Sequence, residues 1–153
     1  MDKVFPFILK DIFIPNIIFR LNHSFKPESD EIEVDTNIEI NFSHKGKDLT
    51  VQVKVELTDG KNVPFAFVVE GVGVFRFKDK PPGDSLEKVA RINCAAIIFP
   101  YIRESVADLT RRAGVPPLHL QPVNFVALMK QLNSGAEKVV TKPQKKAIKK
   151  SSS

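Results

Sequence analysis

The amino-acid sequence predicts an α+β domain: a four-stranded antiparallel sheet carrying one long kinked helix, followed by a short C-terminal helix that closes over it as a lid. Three features of the chain point to this. Apolar and polar residues alternate on both sides of Lys45-Gly46-Lys47, as they do in a half-exposed hairpin. Downstream of Pro81-Pro82-Gly83 the apolar spacing becomes helical. Within that helix, Asn93 to Glu104 is apolar nearly all the way round, so one sheet cannot cover it and a second subunit is expected to supply the rest.

At 153 residues and 42% hydrophobic, the chain has one domain's worth of core and buries about two thirds of its unfolded surface. Its single cysteine, Cys94, lies inside the apolar helix, where a thiol acts as a small hydrophobe. A disulfide framework or a zinc ligand set needs more, so a reduced, cytoplasmic setting is the expectation. The apolar start, Val4 to Leu9, is followed at once by Lys10 and Asp11. It is too short for a membrane span and has no signal-type cleavage site, so no membrane insertion is expected.

Net charge is +5, but residues 138–153 hold six lysines and no acid, leaving 17 basic and 18 acidic groups in the rest. The division expected is a single domain over residues 1–135 and a disordered Lys/Ser-rich arm over 136–153, with weak attraction to nucleic acid or anionic surfaces as the alternative role for the arm.

In chain order, residues 4–22 begin with an apolar lead-in bracketed by Pro6 and Pro15, irregular or at a sheet edge, and become a strand at Ile17, Phe19 and Leu21. His23 to Asp30 is a loop. One strand then alternates through Ile32, Val34, Ile38, Ile40 and Phe42, and its hairpin partner through Leu49, Val51, Val53, Val55 and Leu57. The polar face of this hairpin is a solvated surface or a docking surface. Val63 to Phe77 is apolar on both faces and should be covered on both. Gly71 and Gly73 mark a bulge or a close backbone approach in it.

Asp84 and Glu87 resemble a capping box at the start of the long helix, and Pro100 removes a hydrogen bond to Ala96 and should kink it. Asp108 pairs with Arg111 and Arg112 near the end, and Gly114 with Pro116-Pro117 stops it. An extended connector, Leu118 to Pro122, leads to Asn124, an N-cap with Val123 and Leu128 placed as a hydrophobic staple. Phe125, Leu128, Met129 and Leu132 form the one apolar stripe of the last helix, which is too short to persist in water unless docked.

Nothing in the chain has the spacing of an enzyme site. His23, His44 and His119 stand apart from one another, Cys94 has no activating neighbour in sequence, and Glu104 and Asp108 are surrounded by arginines. No cofactor or metal is expected. The surplus is apolar: twelve phenylalanines and a Met-containing amphipathic helix, beyond what one small sheet covers. Core and subunit interface account for most of it, and a groove for apolar segments accounts for the remainder.

Phe99-Pro100-Tyr101-x-Arg103-Glu104, Gly114-x-Pro116-x-Leu118-x-Leu120 and Pro122-Val123-Asn124-Phe125-x-Ala127-Leu128 follow one another without a gap, and together they resemble the C-terminal half of the SecB protein-export chaperones. The four strands and long helix upstream fit the same family, over residues 15–133. The resemblance implies a homotetramer, a dimer of dimers stacked through the long helices, which would supply the second cover for Cys94, Ile97, Ile98 and Tyr101. It implies an ATP-independent holdase that binds unfolded preproteins in apolar grooves and passes them to the motor ATPase SecA. By position the groove falls on Phe19 and Phe25, on Val34 and Ile38, and on Phe125, Leu128, Met129 and Leu132. SecA docks on acids of the first and last strands in that family. Aligned on Phe19 and Phe75, those positions hold Asn16, Arg20 and Val68, whereas aligning the first strand on Lys10-Asp11 keeps an acid. SecB-like relatives also shield antitoxins of toxin–antitoxin modules, which makes one dedicated partner the alternative.

Overall fold

A computed structural model describes residues 5–26, 31–58, 63–133, 139–140 and 144–147. Its centre is the hairpin expected from the alternation. Strands β3 (Asn37–Lys45) and β4 (Asp48–Leu57) pair from Lys45↔Asp48 to Asn37↔Glu56, turning at Gly46 with a φ of 60° that favours glycine. Strand β5 (Phe65–Phe77) pairs with β4, and β1 (Phe7–Leu21) pairs with the other side of β5, every pair antiparallel. Leu49, Val51, Val53 and Val55 of β4 and Phe67, Val69, Phe75 and Phe77 of β5 form the floor of one buried core. The opposite face of β5 was also expected to be covered, yet Ala66, Val68, Val72 and Val74 are only half-buried. An apolar residue pattern states a preference for cover, and within one chain nothing described supplies it.

Strand β1 starts ten residues before Ile17, the first residue of the expected strand. It does so at the sheet edge, with register shifts between Leu9 and Asp11 and between Phe13 and Asn16. The second shift contains Pro15, which an edge strand tolerates because no ladder bond from it is required. The single strand expected from Ile32 to Phe42 is broken instead. β2 (Glu31–Val34) leaves the sheet, and buried Thr36 lies between it and β3. The apolar parity runs straight through Asp35-Thr36, so alternation could not reveal a change of pairing partner.

The arm also differs from expectation in six of its residues. β6 (Val139–Val140) adds to the outer edge of β3, giving the order β1-β5-β4-β3-β6, and β7 (Gln144–Ala147) pairs with β2. An unpaired strand edge is a row of donors and acceptors that a nearby extended segment can satisfy, even a lysine-rich one. The remainder of the expected arm, 136–138, 141–143 and 148–153, lies outside the described residues.

The long helix runs as α1 (Gly83–Lys88), a π-helical stretch Val89–Cys94, and α2 (Ala95–Arg112). Its expected capping box does not form: Pro82 is the N-cap and offers no side-chain acceptor, while Glu87 accepts from Arg91 Nε at 3.1 Å. Helical geometry continues through exposed Pro100, and the departure from α geometry is the wider π turn just ahead of it. The helix lies close on β5 at the two glycines. A Cβ on Gly71 would stand 2.8 Å from Ile98 Cγ2, and one on Gly73 3.1 Å from Ile98 Cδ1, so close approach is the correct reading of these positions. At the C-terminus Asp108 pairs with Arg111 and, at 2.9 Å, with Arg112, and Gly114 turns the chain at a φ of 83°.

Candidate functional site

The lid is assembled on the helix by three kinds of contact. Thr110 Oγ1, itself buried, accepts a hydrogen bond from Leu118 N at 2.9 Å, and Arg103 Nε donates to Leu120 O at 2.7 Å. These bonds draw the connector back along α2 and bury Leu118 and Leu120. Asn124 Oδ1 then accepts from Ala127 N at 3.1 Å, the N-cap read from the sequence, and opens α3 (Phe125–Asn133). Phe125 packs edge-on to Phe99 with ring centroids 5.8 Å apart. Leu128 and Met129 are buried beside it, while Val126 faces outward at 47% exposure. The helix therefore holds on by one apolar stripe, as its periodicity required. Leu132 lies in α3, but its side chain is outside the described residues.

α3 lies beside the π-helical stretch and beside β6, which pairs with the outer edge of β3. Ile38 is buried there opposite Val139 of β6, and β6 also runs beside α3. Val34 is buried at the end of β2. Arg91, from the π turn, donates to Ile40 O at 3.0 Å and covers the Phe42 ring at 5.4 Å, which ties the helix to this same edge. The remaining groove candidates sit at and just beyond the end of β1. Phe19 stacks on Phe65 at 5.6 Å, and Phe25 is half-buried in a turn held by Asn22, whose Nδ2 donates to Val63 O at 2.9 Å.

The structure thus joins Val34, Ile38, Phe125 and Leu128 in one contiguous core, with Phe19 and Phe25 packed against it. All the described candidate groove residues are buried or half-buried.

Two of the four interface residues require correction. Cys94 and Ile98 are fully buried against the chain's own sheet and are not available to a partner. Ile97 is half-buried and Tyr101 is 46% exposed, so only these two face outward. The sequence could show that the helix was apolar all round, but not that α3 and the connector would cover part of it from within. Burial pushes the Cys94 thiol up to about 12, which removes it as a nucleophile at neutral pH.

The larger exposed apolar surface was missed by pattern reading. Ile8, Leu9, Phe13, Ile17 and Ile18 lie exposed on β1, whose outer edge pairs with no other described strand. Runs such as Phe7-Ile8-Leu9 and Phe13-Ile14, apolar at both parities, were the available signal.

A depression of about 340 Å³ between α2 and the connector is lined by Arg103, Glu104, Asp108, Arg111 and His119 with Pro100 and Ala107. Asp108 there is taken up by two arginines, and no group of three metal-ligating side chains occurs among the described residues. Nor is any helix among them long and apolar enough to cross a membrane.

A strongly apolar antiparallel sheet of four long strands edged by β6, a long helix on its inner face and a short capped helix docked on that long helix define the architecture to be matched. A family model for the preprotein translocase subunit SecB matches residues 5–135. The chain belongs to the SecB family. It is 30% identical over 132 residues to the protein-export protein SecB of Nitrosomonas europaea, a match covering 82% of this chain and 81% of that one. It is 34% identical over 138 residues to the SecB of an Azoarcus species, covering 86% and 90%. In fold it is similar to the SecB-like chaperone of Mycobacterium tuberculosis, solved in complex with a ChAD peptide from the HigA1 antitoxin, with a TM-score of 0.66, 22% identity and coverage of 76% of this chain and 90% of that one. SecB proteins are protein-export chaperones and not enzymes, which accords with a site built of apolar side chains.

Proposed function

We propose that this chain is an ATP-independent holdase of the cytoplasm that binds unfolded preproteins and keeps them competent for export. The observation that carries the reading is a short helix, α3, docked on the long helix with Phe125, Leu128 and Met129 buried and too short to persist without docking. Such a lid can exchange its own apolar contacts for those of a client. Many weak apolar contacts along an extended chain give affinity without demanding one sequence.

The working assembly is a homotetramer, a dimer of dimers. Support comes from the exposed apolar residues of β1, since an antiparallel edge can pair with its own copy about a two-fold axis, and from the outward positions of Ile97 and Tyr101. Clients then pass to SecA. Asn16 and Arg20 stand where the family resemblance expects docking acids, but Glu70, opposite Asn16 in register, keeps an acid on the outer face of the sheet.

Substoichiometric amounts of the protein should delay aggregation of a chemically unfolded secretory protein without ATP. Unchanged aggregation with several unrelated clients would refute the holdase reading. A dedicated partner is the second reading, favoured by the antitoxin peptide held by the M. tuberculosis relative. One stoichiometric partner in a pull-down, together with no protection of unfolded chains, would decide for it.

A further inference from the structure

Two turns meet at one end of the sheet, and both are rich in lysine. Lys45-Gly46-Lys47 joins β3 to β4, and Lys78-Asp79-Lys80 follows β5. Backbone bonds fix them at the same end: Phe77 N donates to Lys47 O at 2.9 Å, and Lys78 N donates to Pro6 O at 3.3 Å just ahead of β1. Asp48 stands opposite Arg76 in register and takes both Arg76 Nε, at 3.0 Å, and Lys10 Nζ, at 3.5 Å. Lys45, Lys47, Lys78 and Lys80 are left exposed, with no acid as partner among the described residues. With Lys10 and Arg76 they make six of the 17 basic groups found outside residues 138–153, while Asp11, Asp48, Asp79 and Asp84 make four of the 18 acids. Ile8, 64% exposed, lies opposite Arg76 on the same face, and Leu9, 42% exposed, follows it.

We infer that this end of the sheet is a docking surface for an anionic phospholipid membrane, on which the chain rests without inserting. Lysines near such a surface are attracted by its negative potential, and the attraction of several adds up within a Debye length. Exposed lysines without partners reach headgroup phosphates without breaking an ion pair of the fold. Their stems, together with Ile8 and Leu9, bring aliphatic surface to the headgroup boundary. These neighbours favour lipid over nucleic acid, because an aliphatic side chain offers a base no ring to stack on. Both turns lie at strand ends and not along the β1 edge, so pairing of that edge with a second copy leaves them free. The inference stands apart from the holdase reading, and its test needs no client.

The full chain is sedimented with vesicles of equimolar phosphatidylglycerol and phosphatidylcholine, and with vesicles of phosphatidylcholine alone. Binding should be confined to the anionic vesicles and should weaken as salt rises. A full-length variant carrying Lys45→Gln, Lys47→Gln, Lys78→Gln and Lys80→Gln should keep its circular dichroism spectrum and lose vesicle affinity at least about tenfold at low salt. A second variant with glutamine in place of the six lysines of residues 138–150 gives up more charge, yet should lose less affinity. Equal vesicle binding by the chain and the four-lysine variant overturns the surface, as does a larger loss from the second variant. Equal binding to neutral vesicles overturns the role of charge, and the proposal with it. A single-stranded oligouridylate is the last probe. If the chain binds it through the four turn lysines but does not sediment with anionic vesicles, the surface belongs to nucleic acid and the membrane proposal fails.

Discussion

Replacing Phe125 by alanine should detach the lid while leaving the sheet intact. Phe125 is buried, and its ring meets Phe99 edge-on at 5.8 Å. Truncating a buried phenylalanine costs about 3–5 kcal/mol, of which the ring pair accounts for about 0.5–1.5 kcal/mol. α3 has nine residues and no stability of its own to set against that loss, so the cost falls on docking of the lid before it reaches the core. Even the lower figure, about 3 kcal/mol, raises the open population by about a hundredfold. Asn124→Ala removes only the cap bond to Ala127 N, about 1 kcal/mol, and should raise it about fivefold. Native-state hydrogen exchange reads both: amides of α3 should lose protection in this order, while those of Val53 and Val69 stay unchanged. If Val53 and Val69 lose as much protection as α3, the lid and core open as one unit and the reasoning is refuted. Full protection of α3 in Phe125→Ala would refute it equally.

Ile97→Glu and Ile98→Glu should separate assembly from folding. Ile98→Glu forces a carboxylate into the core and should prevent folding, while Ile97→Glu should leave a folded chain that native mass measurement finds in smaller species; an unchanged assembly would refute the outward role of Ile97. Gly71→Ala places a Cβ 2.8 Å from Ile98 Cγ2 and 3.1 Å from Ile102 Cγ1 and should cost about 1–3 kcal/mol in denaturant unfolding; stability equal to the parent would show that the helix has room there. Cys94 should resist thiol reagents at pH 8 until the chain unfolds. In the folded chain its pKa is pushed up to about 12 from 9.0, so above pH 9 the unfolded chain loses a proton that the folded chain keeps. Stability should therefore be complete below about pH 9 and fall by about 1.4 kcal/mol per unit toward pH 12. Cys94→Ala should lack that component of the alkaline loss; an identical alkaline profile would refute it.

Much of the architecture was legible because it is local. The hairpin at Gly46, the Asn124 cap, the stop at Gly114 and the single apolar stripe of α3 each depend on residues within a few positions of one another, and each stands where the sequence put it. The capping box failed on an equally local point, since Pro82 began the helix before Asp84 could cap it. The gap-free run from Phe99 to Leu128 was specific enough to identify the family without any catalytic motif.

What depended on partners distant in sequence was not legible. Alternation indicates that Ile32 to Phe42 is extended, but it carries no information about which strand each half will pair with, so the break that frees β2 was invisible. An apolar helix surface shows that cover is needed without showing its source, so Cys94 and Ile98, assigned to a subunit interface, proved to belong to the chain's own core. Composition alone, likewise, made the lysine-rich arm a solvated tail. Only the tertiary structure, by leaving the β3 edge and acidic β2 open on one side, provided a place for Val139–Val140 and Gln144–Ala147 to pair. From sequence came the periodicities, and with them the elements, the lid and the family. Which apolar faces are spent inside the chain and which remain for a partner was decided by packing, because burial depends on everything that surrounds a residue.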